Sequence, residues 1–176
     1  MVPVINRLAA WFFQVVLTQD WHPPGHVSFA ASHPGRQPFE TIQLPYGEQV
    51  LWPVHCVQGT PDADFHPGLR IPQAHAIVRK GWRADGDSYS AFVEADRQTP
   101  TGLAGLLREL GVRHVVLCGL ATDFCVAWSA LDARAAGFEA TVVEDACRAI
   151  DLNGSLARAW TQMHAAGVRR AVTSSL

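Results

Sequence analysis

Leu103, Leu106, Leu107 and Leu110 recur at the three- and four-residue spacing of one helical face. Thr99 and Pro100 stand where a helix N-cap and a first-turn proline belong, and Gly111 where a helix stops, so a helix is predicted over 99–111. The same punctuation predicts helices over 123–136, closed by Gly137, and over 153–166, closed by Gly167. Between them lie short, nearly continuous apolar runs at 114–119, 140–143 and 170–173, the pattern of strands buried on both faces. Nearer the N-terminus, 3–13 predicts a short helix with Pro3 in its first turn, 14–19 a buried strand and 76–79 a second apolar strand. Residues 20–75 carry nine of the eleven prolines and read as mostly irregular chain. Strands that alternate with helices imply a doubly wound α/β fold, a parallel sheet covered on both faces.

Two features of this layout are unusual. The chain opens on a helix where a wound α/β domain opens on a strand, and its irregular stretch is longer than a compact domain carries without a functional reason. Composition narrows the class. With 176 residues, 48% apolar and 17% charged, the chain suits one globular domain over 1–176 and excludes a disordered tail. A formal net charge of −2 offers no basic surplus for nucleic acid or an anionic membrane. No apolar run reaches the ~18 residues of a membrane span, and no charged segment followed by an apolar one marks a secretory signal. The four cysteines form no CxxC pair, which argues against a thiolate zinc site and for a reducing, cytoplasmic setting. The sequence sets no oligomeric state.

Three groups carry chemistry. Cys125 follows the 114–119 strand at the start of a helix, where free amides and the helix dipole favour a thiolate and can hold an oxyanion. Cys56, Cys118 and Cys147 have no such placement and read as small buried residues. Asp20 and His22, two apart just past a strand, can converge on a divalent cation, and His26, His55 or His66 could complete the set; D-x-H alone is a weak signal. Lys80, the only lysine, ends the 76–79 strand at the same sheet edge as Cys125; it could stabilise a thiolate, or simply be solvated.

Four stretches in order, TQDWHPPGHVSFA (18–30), WPVHCVQGTPDADFH (52–66), VRKGWRADGDSYSAF (78–92) and GLATDFCV (119–126), resemble the nicotinamidases of the isochorismatase-like cysteine hydrolase superfamily. The resemblance spans essentially the whole chain. It implies a three-layer α/β/α fold with a mostly parallel central sheet. It implies Cys125 as nucleophile, Lys80 as its catalytic partner, and an oxyanion hole formed by the amides of Ala121 and Cys125, with a cis peptide before Ala121. It further implies Asp20, His22 and His55 as ligands of one divalent metal ion, zinc before iron or manganese, with His26 as a further ligand or a neighbour of metal-bound water. Trp52 and Tyr89 are the implied aromatic walls for a flat ring. The implied reaction is hydrolysis of nicotinamide to nicotinate and ammonia, a step of NAD salvage, with pyrazinamide as an accidental substrate. The alternative is a weakly active or non-catalytic relative that binds nicotinamide or another small amide.

One family element has no counterpart here. The resemblance implies a first strand ending in an aspartate motif close to DVQNDF, and this sequence opens at the helix that follows it. The expected reading is an internal methionine of a longer frame; a truncated relative, or replacement of the aspartate by Asp123 or Asp87, are the other readings. The chain by itself is expected to fold marginally, with two neighbouring strands left without a partner, and to hydrolyse nicotinamide poorly.

Overall fold

The computed structural model describes residues 1–176 as an α/β fold with four α-helices and parallel sheets. Helix α1 (Val2–Ala9) starts on a proline whose missing N–H is not needed in a first turn. It stops short of the expected end, leaving Trp11 and Phe13 exposed in the link to β1 (Val16–Asp20). Strand β1 runs parallel to β4 (Ala76–Lys80) in a register that sets Asp20 opposite Lys80. The C-terminal half supplies α2 (Leu103–Glu109), β5 (His114–Leu120), α3 (Ala127–Ala135), β6 (Glu139–Arg148), α4 (Ser155–Ala165) and β7 (Arg169–Ala171). Strands β5, β6 and β7 form one parallel sheet in that order.

The layering can be read along β6. Val142 packs into a cluster with Ala130, Ala133, Leu107 and Met163 of α2, α3 and α4, whereas Val143 packs with Leu8 of α1. Neighbouring residues of a strand face opposite sides, so β6 is covered on both. Strand β6 is also longer than its apolar run: Glu144 and Asp145 continue it by pairing with Arg170 and Thr173 across the sheet's far edge.

Three sequence expectations are corrected. The stretch read as irregular contains an antiparallel hairpin, β2 (Thr41–Leu44) and β3 (Gly47–Val50), turning through Pro45 and Tyr46. Its alternating TIQL and EQV pattern was obscured by the surrounding prolines. Thr99 and Pro100 do not start α2. Instead Thr99 takes Asp96 as hydrogen-bond partner, Pro100 bridges Val93, and the Thr101 hydroxyl accepts the Leu103 N–H. Cys125 lies in a π-helical turn (Thr122–Val126) ahead of α3 rather than in the first turn of one α-helix.

The sheet is divided. Strand β1 pairs only with β4, and β5 only with β6. A cavity of about 650 Å³ separates them, and every residue of 12–20 and of His114–Leu120 lines it. A strand's face exposes only alternate residues, so an unbroken lining means that the cavity meets the strands edge-on. Leu103, Leu107 and Val126 close one side of the slot and Ile5, Leu8 and Phe12 the other. Both free edges are those of strands the sequence expects to lack a neighbour. No helix is long and apolar enough to cross a membrane.

Hydrogen–deuterium exchange should separate the two kinds of strand. Amides of β6, bonded on both sides, are expected to exchange slowest, and those facing the slot from β1 and β5 within the fast class. Equal protection of all three strands would contradict the divided sheet.

Candidate active site

Parallel strands bring side chains together at their C-terminal ends. Strands β1 and β4 end at Asp20 and Lys80, and β5 at Leu120, where a cis peptide leads to Ala121 and the turn carrying Cys125. Lys80 is buried at this junction. Its ammonium pairs with the Asp20 carboxylate and donates to the Ser88 carbonyl at 3.0 Å and to Cys125 Sγ at 3.3 Å. Burial works against the Lys80 charge, but Asp20 and Cys125 outweigh it and hold the ammonium protonated well above the usual lysine range. Asp20 feels burial upward most strongly, yet Lys80 and the nearby His22 and His55 bring it below the usual carboxylate range. For Cys125 burial wins: the thiol is pushed up, and Lys80 offsets only part of the shift. The Ala121 N–H donates to no backbone carbonyl and is free to meet an oxyanion.

Asp20, His22 and His55 place one donor atom each within 4.8 Å of one another. The two rings are oriented from behind. His22 Nδ1 donates to the Gly81 carbonyl at 2.8 Å and His55 Nδ1 to the Pro53 carbonyl at 2.8 Å, which leaves each Nε2 lone pair for a cation. Gly81 makes this approach possible. Its φ is +62°, and a Cβ there would stand 2.4 Å from His22 Cε1. Burial, with His26 beside it, lowers His22 to about 4, so this ring is neutral and ready to ligate at ordinary pH. One carboxylate with two imidazoles fits a divalent transition metal. His26 is arranged otherwise. Its Nε2 donates to the Gly86 carbonyl at 3.2 Å and its Nδ1 accepts the Ser28 hydroxyl at 2.7 Å; its donor atom groups with His22 and Asp87. His66 accepts the Gly68 N–H and joins neither cluster.

Trp52 and Tyr89 meet beside Cys125: the indole N–H donates to the Tyr89 hydroxyl at 2.8 Å. Phe124 stands edge-on to Trp52 with ring centroids 4.8 Å apart, and 5.5 Å from Tyr89. Sequence reasoning missed Phe124, although its place immediately before the cysteine was a signal that the turn also supplies an aromatic ring. Together the three rings offer flat apolar surface within reach of the sulfur.

Neither carboxylate considered as a replacement reaches Lys80 directly. Asp123 is turned away, accepting the Ile150 and Asp151 N–H groups and the Ser155 hydroxyl, and so fastens the turn to the start of α4. Asp87 accepts from Gln49 and from the Ser88 N–H. The carboxylate in contact with Lys80 is Asp20. Among the other cysteines, Cys118 and Cys147 lie at the β5–β6 seam with thiols pushed up by burial to about 11 and about 12. Cys56, half-buried beside His55, is pushed to about 11.

The Isochorismatase domain matches residues 1–174. A nicotinamidase of Acinetobacter baylyi is 60% identical over 170 residues, 97% of this chain and 79% of that protein. Among solved structures, a nicotinamidase/pyrazinamidase of Acinetobacter baumanii superposes with a TM-score of 0.98 at 62% identity, over 98% of this chain and 84% of that one. A pyrazinamidase of Pyrococcus horikoshii in complex with zinc gives a TM-score of 0.77 at 32% identity, over 97% and 84%. A family domain that spans nearly the whole sequence, on parallel strands whose ends converge as described, means that this chain belongs to the isochorismatase family.

Proposed function

We propose that this chain hydrolyses nicotinamide to nicotinate and ammonia, with Cys125 as nucleophile. The observation that carries the reading is the 3.3 Å contact between Cys125 Sγ and the buried Lys80 ammonium, between an aromatic wall and a carboxylate–imidazole donor set. The identity to nicotinamidases supports this substrate over other small amides.

The chemistry follows from these groups. The carboxamide ring lies against Trp52, Tyr89 and Phe124. Lys80 stabilises Cys125 as a thiolate once its proton has left. Sulfur attack forms a C–S bond, and the charge that develops on oxygen faces the N–H groups of Ala121 and Cys125. The C–N bond then breaks, and nitrogen leaves as ammonia with the proton that Cys125 gave up. Water cleaves the thioester, releases nicotinate and returns the thiol. Asp20, His22 and His55 would hold a divalent cation, zinc before iron or manganese, which would supply a Lewis-acidic anchor for the substrate. The zinc-bound pyrazinamidase supports that choice of ion. Asp20 must serve both this cation and Lys80. One carboxylate shared in this way supports slow turnover by the 176-residue chain.

Cys125→Ser is expected to reduce ammonia release from nicotinamide to background while calorimetry still detects nicotinamide binding. Undiminished release from that variant overturns the assignment. Stripping the cation with a chelator is expected to raise KM more than it lowers kcat, with recovery on adding zinc; a change in kcat alone would contradict an orienting role. The metal-free chain should also carry the signature of His22. Its folded value, about 4, lies below the ordinary 6.5, so the unfolded chain binds the proton more readily. The ring's contribution to stability is then complete above pH 6.5 and is lost as pH falls toward 4. Urea midpoints of the chain and of His22→Gln across this range check it, the variant losing less.

A further inference from the structure

Asp87 lines a second cavity, of about 380 Å³, which includes none of Cys125, Lys80, Asp20, His22 and His55. Tyr46, at the turn of the β2–β3 hairpin, forms part of its wall, and Asp85, Asp87, Glu94 and Asp96 bring carboxylates to it. Arg83 is the one cationic side chain there; its Nε stands 3.8 Å from Asp85 and the side chain is 43% exposed. Glu94 is the unusual member. It is 5% exposed, and its Oε2 is the single buried side-chain polar atom in the structure without a hydrogen-bond partner. Its backbone is fixed: the Glu94 N–H donates to the Thr99 carbonyl at 2.9 Å, beside the bridge from Val93 to Pro100. A carboxylate cannot be buried without compensation, and burial pushes the Glu94 carboxyl above its usual range. Asp87 accepts from Gln49 and from the Ser88 N–H, and Asp96 from the Gln98 and Thr99 N–H groups and the Thr99 hydroxyl, so these donors are not shared with Glu94.

We propose that this cavity binds a hydrated divalent cation of the magnesium or calcium kind, with the Glu94 carboxylate as its innermost ligand. The side-chain donors offered by the acidic residues are all oxygen, with no imidazole or thiolate among the lining residues, which selects a hard cation rather than the metal of the Asp20 site. No three of these carboxylates bring donor atoms within 4.8 Å of one another, so a bare ion could not collect them directly. An ion that keeps much of its water shell can reach them all, and 380 Å³ holds that shell, at about 30 Å³ per water. Arg83, on an exposed stem, is free to swing out as the ion enters. Asp87 also stands beside His22 and His26, so the bound ion would brace the outer wall of the histidine cluster. This site does not depend on the reaction proposed for Cys125.

Terbium luminescence excited through nearby Tyr46 reports directly on the site. The probe is titrated into His55→Ala, which weakens the other cation set, and into the same chain carrying Glu94→Gln. The expected result is a saturable signal in His55→Ala that millimolar calcium or magnesium displaces, with binding at least about tenfold weaker once Glu94→Gln is added. Asp85→Asn, at the exposed rim, serves if the Glu94 variant does not fold, and is expected to weaken binding about threefold. Absence of a saturable signal in His55→Ala overturns the proposal. So does equal affinity in the Glu94 variant, or in Asp85→Asn where Glu94→Gln fails to fold.

Discussion

The site depends on a buried ammonium being kept charged. Lys80 has lost nearly all contact with water, and the Asp20 carboxylate is what makes its charge tolerable there. Register supplies that partner: β1 and β4 run parallel and end level, so the last residue of one faces the last residue of the other. The Cys125 sulfur meets the same ammonium from a third direction, across the end of β5. Shifting either strand by one residue would turn Asp20 or Lys80 to the opposite face of the sheet and leave a buried charge alone.

Much of this was legible in the sequence because the chemistry sits at strand ends, and strand ends carry local signals. Asp20, Lys80 and Cys125 each follow an apolar run, and parallel sheets gather such positions. The histidines were legible as candidates, but their separate roles were not. The sequence cannot show that the carbonyls of Gly81 and Pro53 select the tautomers of His22 and His55, or that Ser28 and Gly86 occupy both nitrogens of His26. The hairpin around Pro45 and Tyr46 escaped notice because proline and glycine density masks a short alternating pattern. Thr99 misled for a related reason: threonine before proline signals a helix start, yet a nearby Asp96 offered its hydroxyl a better partner. Glu94 carried no signal at all, since nothing in a sequence distinguishes a buried glutamate from a solvated one.

The divided sheet and the active site are parts of one arrangement. The slot between β1 and β5 runs to the point where Asp20, Lys80 and Cys125 meet, so the apolar cavity and the polar junction share a boundary. Burial that raises the Cys125 thiol and opposes the Lys80 charge comes from this same interior. Whatever alters packing in the slot alters the electrostatics of Cys125.

Gly81 shows how far such dependence reaches. It donates no ligand and carries no side chain, yet the His22 ring occupies the space that a β-carbon would need. In a survey of every single substitution, position 81 would behave like position 22, and alanine, normally the mildest replacement, would be damaging there because it displaces the His22 ring. The boundary of the functional site in this chain is therefore drawn by excluded volume as much as by donor atoms.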